Sequence, residues 1–165
     1  MALLAALSEA IESRPTMRGH AARVTRLAEM VAVRLGWSAA SLDGLRIGGR
    51  LHDVGKLAVD ERILAKPGRL TPAELSRVRD HPAEGARMIS HLPCCDVALP
   101  YVLYHHERWD GTGYPCGRLG EEIPIEARVL AVADAFDAMT SDRAYRRGMP
   151  VDDALTILYQ GRNQQ

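Results

Sequence analysis

The 165-residue sequence has few of the features that mark several common classes of protein. Its 21 basic side chains are balanced by 21 acidic ones, so there is no basic surplus of the kind that indicates bulk nucleic-acid binding. No apolar run approaches the roughly 18 residues that a membrane-spanning helix needs. The apolar opening contains Glu9 and lacks a basic n-region, so it predicts a helix and not a signal peptide. We expect no nucleic-acid partner, no membrane span and a cytoplasmic location.

Cysteine is scarce, and its placement argues against two kinds of structural site. The three cysteines are Cys94, Cys95 and Cys116, an odd number that includes two sequence neighbours. Neighbouring cysteines rarely pair, and no CxxC spacing is present, so neither a disulfide framework nor a cysteine-ligated zinc site is expected.

Strand-like alternation is also missing, and helical periodicity extends through almost the whole chain. The pattern predicts an all-α fold in a single domain over residues 1–160, followed by a polar tail over 161–165. It places a long ordered loop at 108–124, between two helices. The expected helices cover 2–13, 19–35, 39–54, 71–91 with a break near Pro82, 97–107, 125–139 and 151–160.

Histidines recur on the apolar faces or at the ends of these helices. A lone histidine on such a face is usually a core residue, but several that recur together with aspartates are not expected by chance. Asp134 lies in an otherwise apolar stretch, where a carboxylate is costly unless it is paired, for example with Arg128, or binds a metal. Of the six histidines only His91 looks unconnected with the pattern, which comprises His20, His52, His81, His105 and His106.

The adjacent pair His52-Asp53 indicates a site for two ions. Consecutive helical side chains diverge by roughly 100°, so neighbours serve two adjacent ions more easily than one. Asp53, with two carboxylate oxygens, could bridge them, and His105-His106 repeats the arrangement. Imidazole and carboxylate ligands suit iron, manganese or zinc. Lys56, just beyond the pair, could stabilise negative charge on a phosphate.

With these residues in place, the chain resembles the HD-GYP branch of the HD-domain phosphohydrolases. The matching segments are "LHDVGK", "ILAKPGRLTPAE", "HPAEGARMI", "HHERWDGTGYP" and "GEEIPIEARVLAVADAFDAMTSDRAYR". The resemblance implies an HD-domain-like helical bundle with a long ordered GYP loop. It also implies a bacterial enzyme that hydrolyses the second messenger cyclic di-GMP to pGpG, to GMP or to both.

The resemblance further implies roles for particular residues. His20, His52, Asp53 and Asp134 would hold one ion, while Asp53, His81, His105 and His106 would hold the other. Asp53 and Lys56 would be catalytic, and Lys56, Tyr114, Asp137, Arg143 and Arg146 would serve the substrate. The two divalent ions would be iron or manganese, with zinc, nickel or magnesium as alternatives. The GYP loop would also contact diguanylate cyclases of the GGDEF type.

Two departures from the family pattern lead to further expectations. Where some members carry a glutamate that supports a third metal, this chain has Thr16, so two ions are expected. The chain also ends soon after its last predicted helix, which is typical of either a truncated or a minimal domain. Two other functions stay open: a non-catalytic module that binds cyclic di-GMP or a cyclase, and a generic HD-type nucleotide phosphohydrolase.

Overall fold

A computed structural model describes residues 2–14, 17–92, 95–142 and 147–164, and the prediction of an all-α fold is confirmed. Within these ranges no strand forms, and the only extended pairing is an isolated bridge between Asp110 and Leu119. Short 3-10 segments cover Val54–Ala58, Asp96–Ala98 and Gly120–Glu122. The α-helices are α1 (Ala2–Glu12), α2 (His20–Arg34), α3 (Ala39–Leu51), α4 (Glu61–Leu64), α5 (Pro72–Arg79), α6 (His81–Ile89), α7 (Leu99–Tyr104), α8 (Ile125–Thr140) and α9 (Val151–Gln160).

The expected helix over 39–54 is too long, because α3 ends at Leu51. The backbone of Asp53 is no longer α-helical, with φ −96° and ψ 10°, and a 3-10 turn follows it. The helix expected over 97–107 is likewise shorter, since α7 ends at Tyr104. Both pairs of candidate ligands therefore lie just past a helix end, where consecutive side chains are freer to point in different directions.

The expected break near Pro82 is confirmed and falls between α5 and α6 at Asp80. Pro82 lies in the first turn of α6, where a missing backbone N–H costs nothing. The start of α5 is fixed by a capping box: the Thr71 hydroxyl accepts from the Glu74 amide, and the Glu74 carboxylate accepts from the Thr71 amide.

Two groups of buried apolar residues hold the helices together. One joins α2, α3, α7 and α8 through Val24, Leu45, Tyr101 and Leu130. The other lies beneath α1 and α6 and comprises Ile11, Met17, Leu51, Val54, Ile89, Cys95, Ala98 and Val102. α2 lies between α3 and α8, so its first turn faces both the end of α3 and the middle of α8.

Glycines permit the closest contacts in this packing. Gly48 and Gly49 of α3 are buried, and a Cβ on Gly48 would come within 2.2 Å of the Tyr101 ring. A Cβ on Gly55 would lie 1.8 Å from the backbone oxygen of His81. The segment after Asp53 therefore runs directly against the first turn of α6, which brings Asp53 next to His81.

Side chains at the end of α1 and just after it bind the first turn of α2 and the segment that follows Asp53. The Glu12 carboxylate accepts from the backbone amides of Gly19 and Ala22 at 3.3 Å each, so it caps the first turn of α2. Arg14 donates through Nη1 to the backbone oxygen of Lys56 at 2.8 Å.

In the part of the chain that the structure describes, no helix combines the length and apolar character needed to cross a membrane.

Candidate metal centre

Five helices bring their ends or one face to a common point. His20 begins α2, His81 begins α6, and His52 follows the last residue of α3. His105 and His106 follow α7, while Asp134 projects from the middle of α8. All seven predicted ligand residues lie together, in two groups whose donor atoms are within 4.8 Å of one another: His20, His52 and Asp134 in one, and Asp53, His81, His105 and His106 in the other.

Asp53 lies between the two groups and presents one oxygen to each. Its Oδ1 is 3.2 Å from Nε2 of His81 and 3.8 Å from Nε2 of His105. Its Oδ2 is 3.4 Å from Nε2 of His52 and 3.7 Å from Nε2 of His20. This geometry is what a carboxylate that bridges two ions requires.

Three of the imidazoles are oriented by the backbone. The Nδ1 atoms of His52, His81 and His105 each lie 2.7–3.0 Å from the carbonyl oxygen three residues earlier, at Gly49, Val78 and Val102. A protonated Nδ1 donates to that oxygen, so the Nε2 lone pair points into the cluster.

The polar atoms at the centre lack the partners that buried polar atoms normally have. His52 Nε2 and Asp53 Oδ1 are buried without a hydrogen bond, and Nε2 of His81 lies 3.3 Å from Nε2 of His105. Lone pairs that face one another at this depth are costly unless a cation lies between them. The donor set of imidazoles and carboxylates therefore suits divalent metal ions.

Burial and neighbouring charges set the protonation of the cluster. Burial lowers the pKa of His106 to about 4 and holds the pKa of His105 well below its usual value, so both imidazoles are neutral and able to bind a metal. Burial alone would raise the pKa of Asp53, but Lys56 and His52 outweigh it and keep that pKa well below the ordinary range. Asp53 is therefore a carboxylate at neutral pH.

His20 differs from the other imidazoles because carboxylates surround it. Its Nδ1 is 2.8 Å from Oδ2 of Asp137, and its Nε2 is 3.2 Å from Oδ1 of Asp134. Burial lowers the pKa of His20, but these two hydrogen bonds outweigh it and raise the pKa to about 9. An ion at this position would have to displace the Nε2 proton.

The resemblance implies that Asp137 serves the substrate, and in the structure its carboxylate is bound by protein groups. Besides His20, it accepts from Arg23 Nε at 2.6 Å, from Arg23 Nη2 at 3.0 Å and from the Ser141 hydroxyl at 3.0 Å. A role of Asp137 toward the substrate stays a prediction. Arg23 was not predicted; its place one turn after His20 is the signal that could have revealed it.

Lys56 lies at the edge of the cluster, with its Nζ 2.7 Å from Oδ2 of Asp53. It lines an open cavity of about 610 Å³ together with Arg23, Lys66, His106 and Asp134. The cavity therefore gives a phosphate access to both the candidate ligands and several cations. The expectation of two ions depends on Thr16, and the prediction of phosphate binding depends on Arg143 and Arg146. These three residues lie outside the described residues.

Tyr114 of the GYP segment supports the cluster from the side. Its ring stacks on His106 with 4.8 Å between centroids, and Arg79 lies 5.4 Å from the Tyr114 centroid on the same cluster edge. Burial raises the pKa of the Tyr114 phenol to about 12, so the hydroxyl stays protonated. Its predicted contact with substrate stays a prediction.

Glu107, in the segment "HHERWDGTGYP", has a structural role that the sequence alone does not indicate. The side chain is buried and accepts from the backbone amides of Cys116 at 2.7 Å and Arg118 at 3.0 Å. An acidic residue directly after two candidate ligands at a helix end was the available signal. Because Glu107 directly follows His106, these hydrogen bonds tie the long loop to the candidate ligands at the end of α7.

The alternative pairing of Asp134 with Arg128 does not occur in the structure. Asp134 faces His20, whereas the Arg128 guanidinium lies 5.6 Å from the centroid of the Trp109 ring. His91, which the sequence set apart from the pattern, is exposed in a turn after α6 and belongs to neither ligand group.

Two curated relatives share much of this sequence. RpfG of Xanthomonas campestris pv. campestris, named a cyclic di-GMP phosphodiesterase response regulator, is 40% identical over 164 residues, which cover 98% of this chain and 43% of RpfG. The 3′3′-cGAMP-specific phosphodiesterase 3 of Vibrio cholerae is 40% identical over 144 residues, which cover 87% of this chain and 31% of the relative. The chain thus spans less than half the length of either protein.

A solved structure shares the fold, and a family model matches the sequence. The structure of Bd1817, an HDG"Y"P protein from Bdellovibrio bacteriovorus, matches with a TM-score of 0.71 at 22% identity, covering 91% of this chain and 48% of that one. The model of the HD domain family matches residues 5–165. The resemblance seen in the sequence is therefore confirmed, and the chain belongs to the HD domain family.

Proposed function

We propose that this chain is a metal-dependent phosphodiesterase that hydrolyses cyclic di-GMP to pGpG, to GMP or to both. One observation carries the proposal: two groups of candidate ligands meet on the two oxygens of Asp53, beside a lysine and an open cavity. Such an arrangement suits in-line displacement at a phosphodiester. The curated relatives, which act on cyclic dinucleotides by their names, support the substrate class.

His20, His52, Asp53 and Asp134 would hold one divalent ion, and Asp53, His81, His105 and His106 the other. When bound, such ions act as Lewis acids toward a phosphodiester and make water a better nucleophile. The backbone carbonyls that orient His52, His81 and His105 keep these side chains in position before any ion arrives. Little reorganisation is then needed on binding.

Lys56 would act on the scissile phosphate itself. Its Nζ already lies at the cluster, held by Asp53, and its stem lines the large cavity. A cation fixed at this position stabilises the negative charge that develops on the phosphate oxygens. We assign the second phosphate of the substrate to Arg143 and Arg146, because a guanidinium can bind a phosphate through two parallel hydrogen bonds.

Iron and manganese are the ions we propose, because a mixed set of imidazoles and carboxylates suits both, with zinc, nickel or magnesium as alternatives. We propose two ions per chain, one for each ligand group. Contact with cyclases through the loop at 108–124 and a location in the bacterial cytoplasm stay predictions from the sequence.

The test is a turnover assay on the purified chain, loaded with Mn²⁺ or anaerobically with Fe²⁺. Ion-exchange chromatography would separate cyclic di-GMP, pGpG and GMP over time. Time-dependent loss of cyclic di-GMP that depends on added ion supports the proposal. Tight binding of cyclic di-GMP with no product would favour a non-catalytic module, and equal turnover of unrelated nucleotides would favour a generic phosphohydrolase.

The same assay includes 3′3′-cGAMP as a second candidate substrate. The relative from Vibrio cholerae that is specific for this compound by name is 40% identical, the same identity as RpfG. Comparison of kcat/KM for the two cyclic dinucleotides decides which of them this chain prefers.

A further inference from the structure

A second, smaller cavity adjoins the candidate ligands. Its volume is about 270 Å³, and it lies between the 105–114 segment and one face of α8. It shares His106 and Asp134 with the large cavity that contains Lys56. The two cavities therefore adjoin each other at the candidate ligands, and a dinucleotide has one nucleoside on each side of its scissile phosphate.

Arg128 in the wall of the smaller cavity has unused hydrogen-bonding capacity. Its Nε is buried with no acceptor, and it forms no ion pair with any described residue. The two carboxylates that line the same cavity serve other groups, since Glu107 accepts from two backbone amides and Asp134 faces His20. A buried donor without a partner is costly, so an acceptor on a ligand that drew the guanidinium into the cavity would be favoured.

The rest of the cavity is suited to a flat, weakly hydrated group. Trp109 contributes an aromatic ring beside the Arg128 guanidinium, and Ile123, Ala131 and Val132 contribute apolar surface. A bare phosphate is strongly hydrated and gains nothing from such walls. A nucleobase gains from stacking and from burial of its faces, and base–aromatic stacking is a common source of affinity.

We propose that this cavity is a guanine-binding subsite in which Arg128 and Trp109 determine the base preference. Guanine presents two adjacent acceptors, O6 and N7, which match the donor fork of arginine, whereas adenine presents one acceptor beside a donor. One such subsite accommodates cyclic di-GMP and 3′3′-cGAMP, because each contains a guanine. The inference rests on the proposed phosphodiesterase function and adds the selection of the base.

The test compares kcat/KM for cyclic di-GMP, 3′3′-cGAMP, cyclic di-AMP and bis(p-nitrophenyl) phosphate, a diester without bases. We expect the wild-type chain to favour the two guanine-containing compounds over cyclic di-AMP. Arg128→Met should lower the ratio of kcat/KM for cyclic di-GMP to that for the base-free diester by about 10- to 100-fold. Arg162→Met is the matched control, since Arg162 lies 4.1 Å from the Tyr159 centroid, outside both cavities.

Several outcomes would overturn the subsite. If Arg128→Met lowers kcat/KM equally for all three cyclic dinucleotides, Arg128 binds a phosphate and not a base. If Arg128→Met does not fold, Arg128→Lys keeps the charge and removes the fork. A measurement on the wild type needs no variant: GMP should inhibit hydrolysis of the base-free diester more strongly than AMP, and equal inhibition refutes the proposal.

Failure of the proposed function has a separate signature. In that case the wild-type chain would hydrolyse none of the four diesters with any ion. Calorimetric titration with cyclic di-GMP and cyclic di-AMP would still decide the subsite, since the proposal requires the guanine compound to bind more tightly. Equal affinities would refute it.

Discussion

His20 and Asp137 share a hydrogen bond of 2.8 Å between Nδ1 and Oδ2, and Arg23 donates to both oxygens of the same carboxylate. A carboxylate behind a metal-binding histidine fixes the ring and raises its basicity. Asp137→Asn should therefore weaken ion binding by about 10- to 100-fold while the other ligand group stays intact. Titration against a fluorescent chelator measures this, and Asp60→Asn, at an exposed aspartate, is the control. Unchanged affinity in Asp137→Asn would show that the bond has no such role.

Asp53→Asn tests the bridge between the two ligand groups. The amide keeps the size of the side chain but replaces one oxygen with a nitrogen that carries no free lone pair. Since each oxygen faces a different ligand group, we expect at most one ion per chain and no measurable hydrolysis. Elemental analysis of the purified variant gives the stoichiometry. Two ions per chain with turnover like that of the wild type would exclude a bridging role.

Removal of the ions should lower the melting temperature. Ligands that bind only the folded state stabilise it, by about 2.7 kcal/mol at a concentration of 100 Kd. For a chain of this size each kcal/mol shifts the melting temperature by roughly 2–4 °C. Calorimetry before and after EDTA treatment, and after addition of Mn²⁺, measures the effect. The Asp53→Asn variant should show a smaller response to EDTA.

Gly55→Ala should disturb the centre without changing any ligand. The new Cβ would lie 1.8 Å from the backbone oxygen of His81, so the segment after Asp53 and the start of α6 must separate. We expect a loss of about 1–3 kcal/mol in the free energy of unfolding and a large fall in activity. Urea titration measures the first quantity.

Gly44→Ala is the control for this substitution, because its Cβ would meet Val97 Cβ at an ordinary 3.5 Å within α3. A gain of about 0.5–1 kcal/mol is expected there from helix propensity. Equal effects of the two substitutions would contradict the packing argument.

The capping box of α5 gives a pH-dependent signal away from the ligands. The hydrogen bond from Lys66, with a second from the Thr71 amide, lowers the pKa of Glu74 from 4.5 to about 2. Because the pKa is lower in the folded state, this contribution is complete above the unfolded value and is lost as pH falls from 4.5 toward 2. NMR titration of the Glu74 carboxyl group measures the pKa, and Lys66→Met should raise it. An unchanged pKa in that variant would assign the shift to Thr71 alone.

The candidate ligands that the structure brings together could be singled out in the sequence because each required an unusual local choice. An imidazole or a carboxylate on an apolar helix face is costly, and Asp134 in "VLAVADAFDA" makes that cost visible without a structure. Adjacent ligands such as His52 and Asp53 likewise indicated two ions. The helix ends were less predictable, because the turn after Leu51 depends on contact between Gly55 and α6, which lies far along the chain.

The roles of residues that act through long-range contacts could not be predicted from the sequence. The role of Glu107 depends on amides nine and eleven residues later in a loop without regular structure. Arg128 could only be considered as a partner for Asp134, since nothing local indicates that its guanidinium lies over the Trp109 ring. In both cases the contact partner depends on how the loop at 108–124 folds back. The helical periodicity of the sequence carries no information about that path.

The junction between the first two helices has a mechanical consequence. Glu12 holds the turn that carries His20, and Arg14, two residues later, holds the backbone of Lys56. A displacement of the end of α1 would therefore be transmitted both to a candidate ligand and to the lysine beside the cluster. The first helix is thus mechanically coupled to the candidate metal centre, although it contributes no ligand to it.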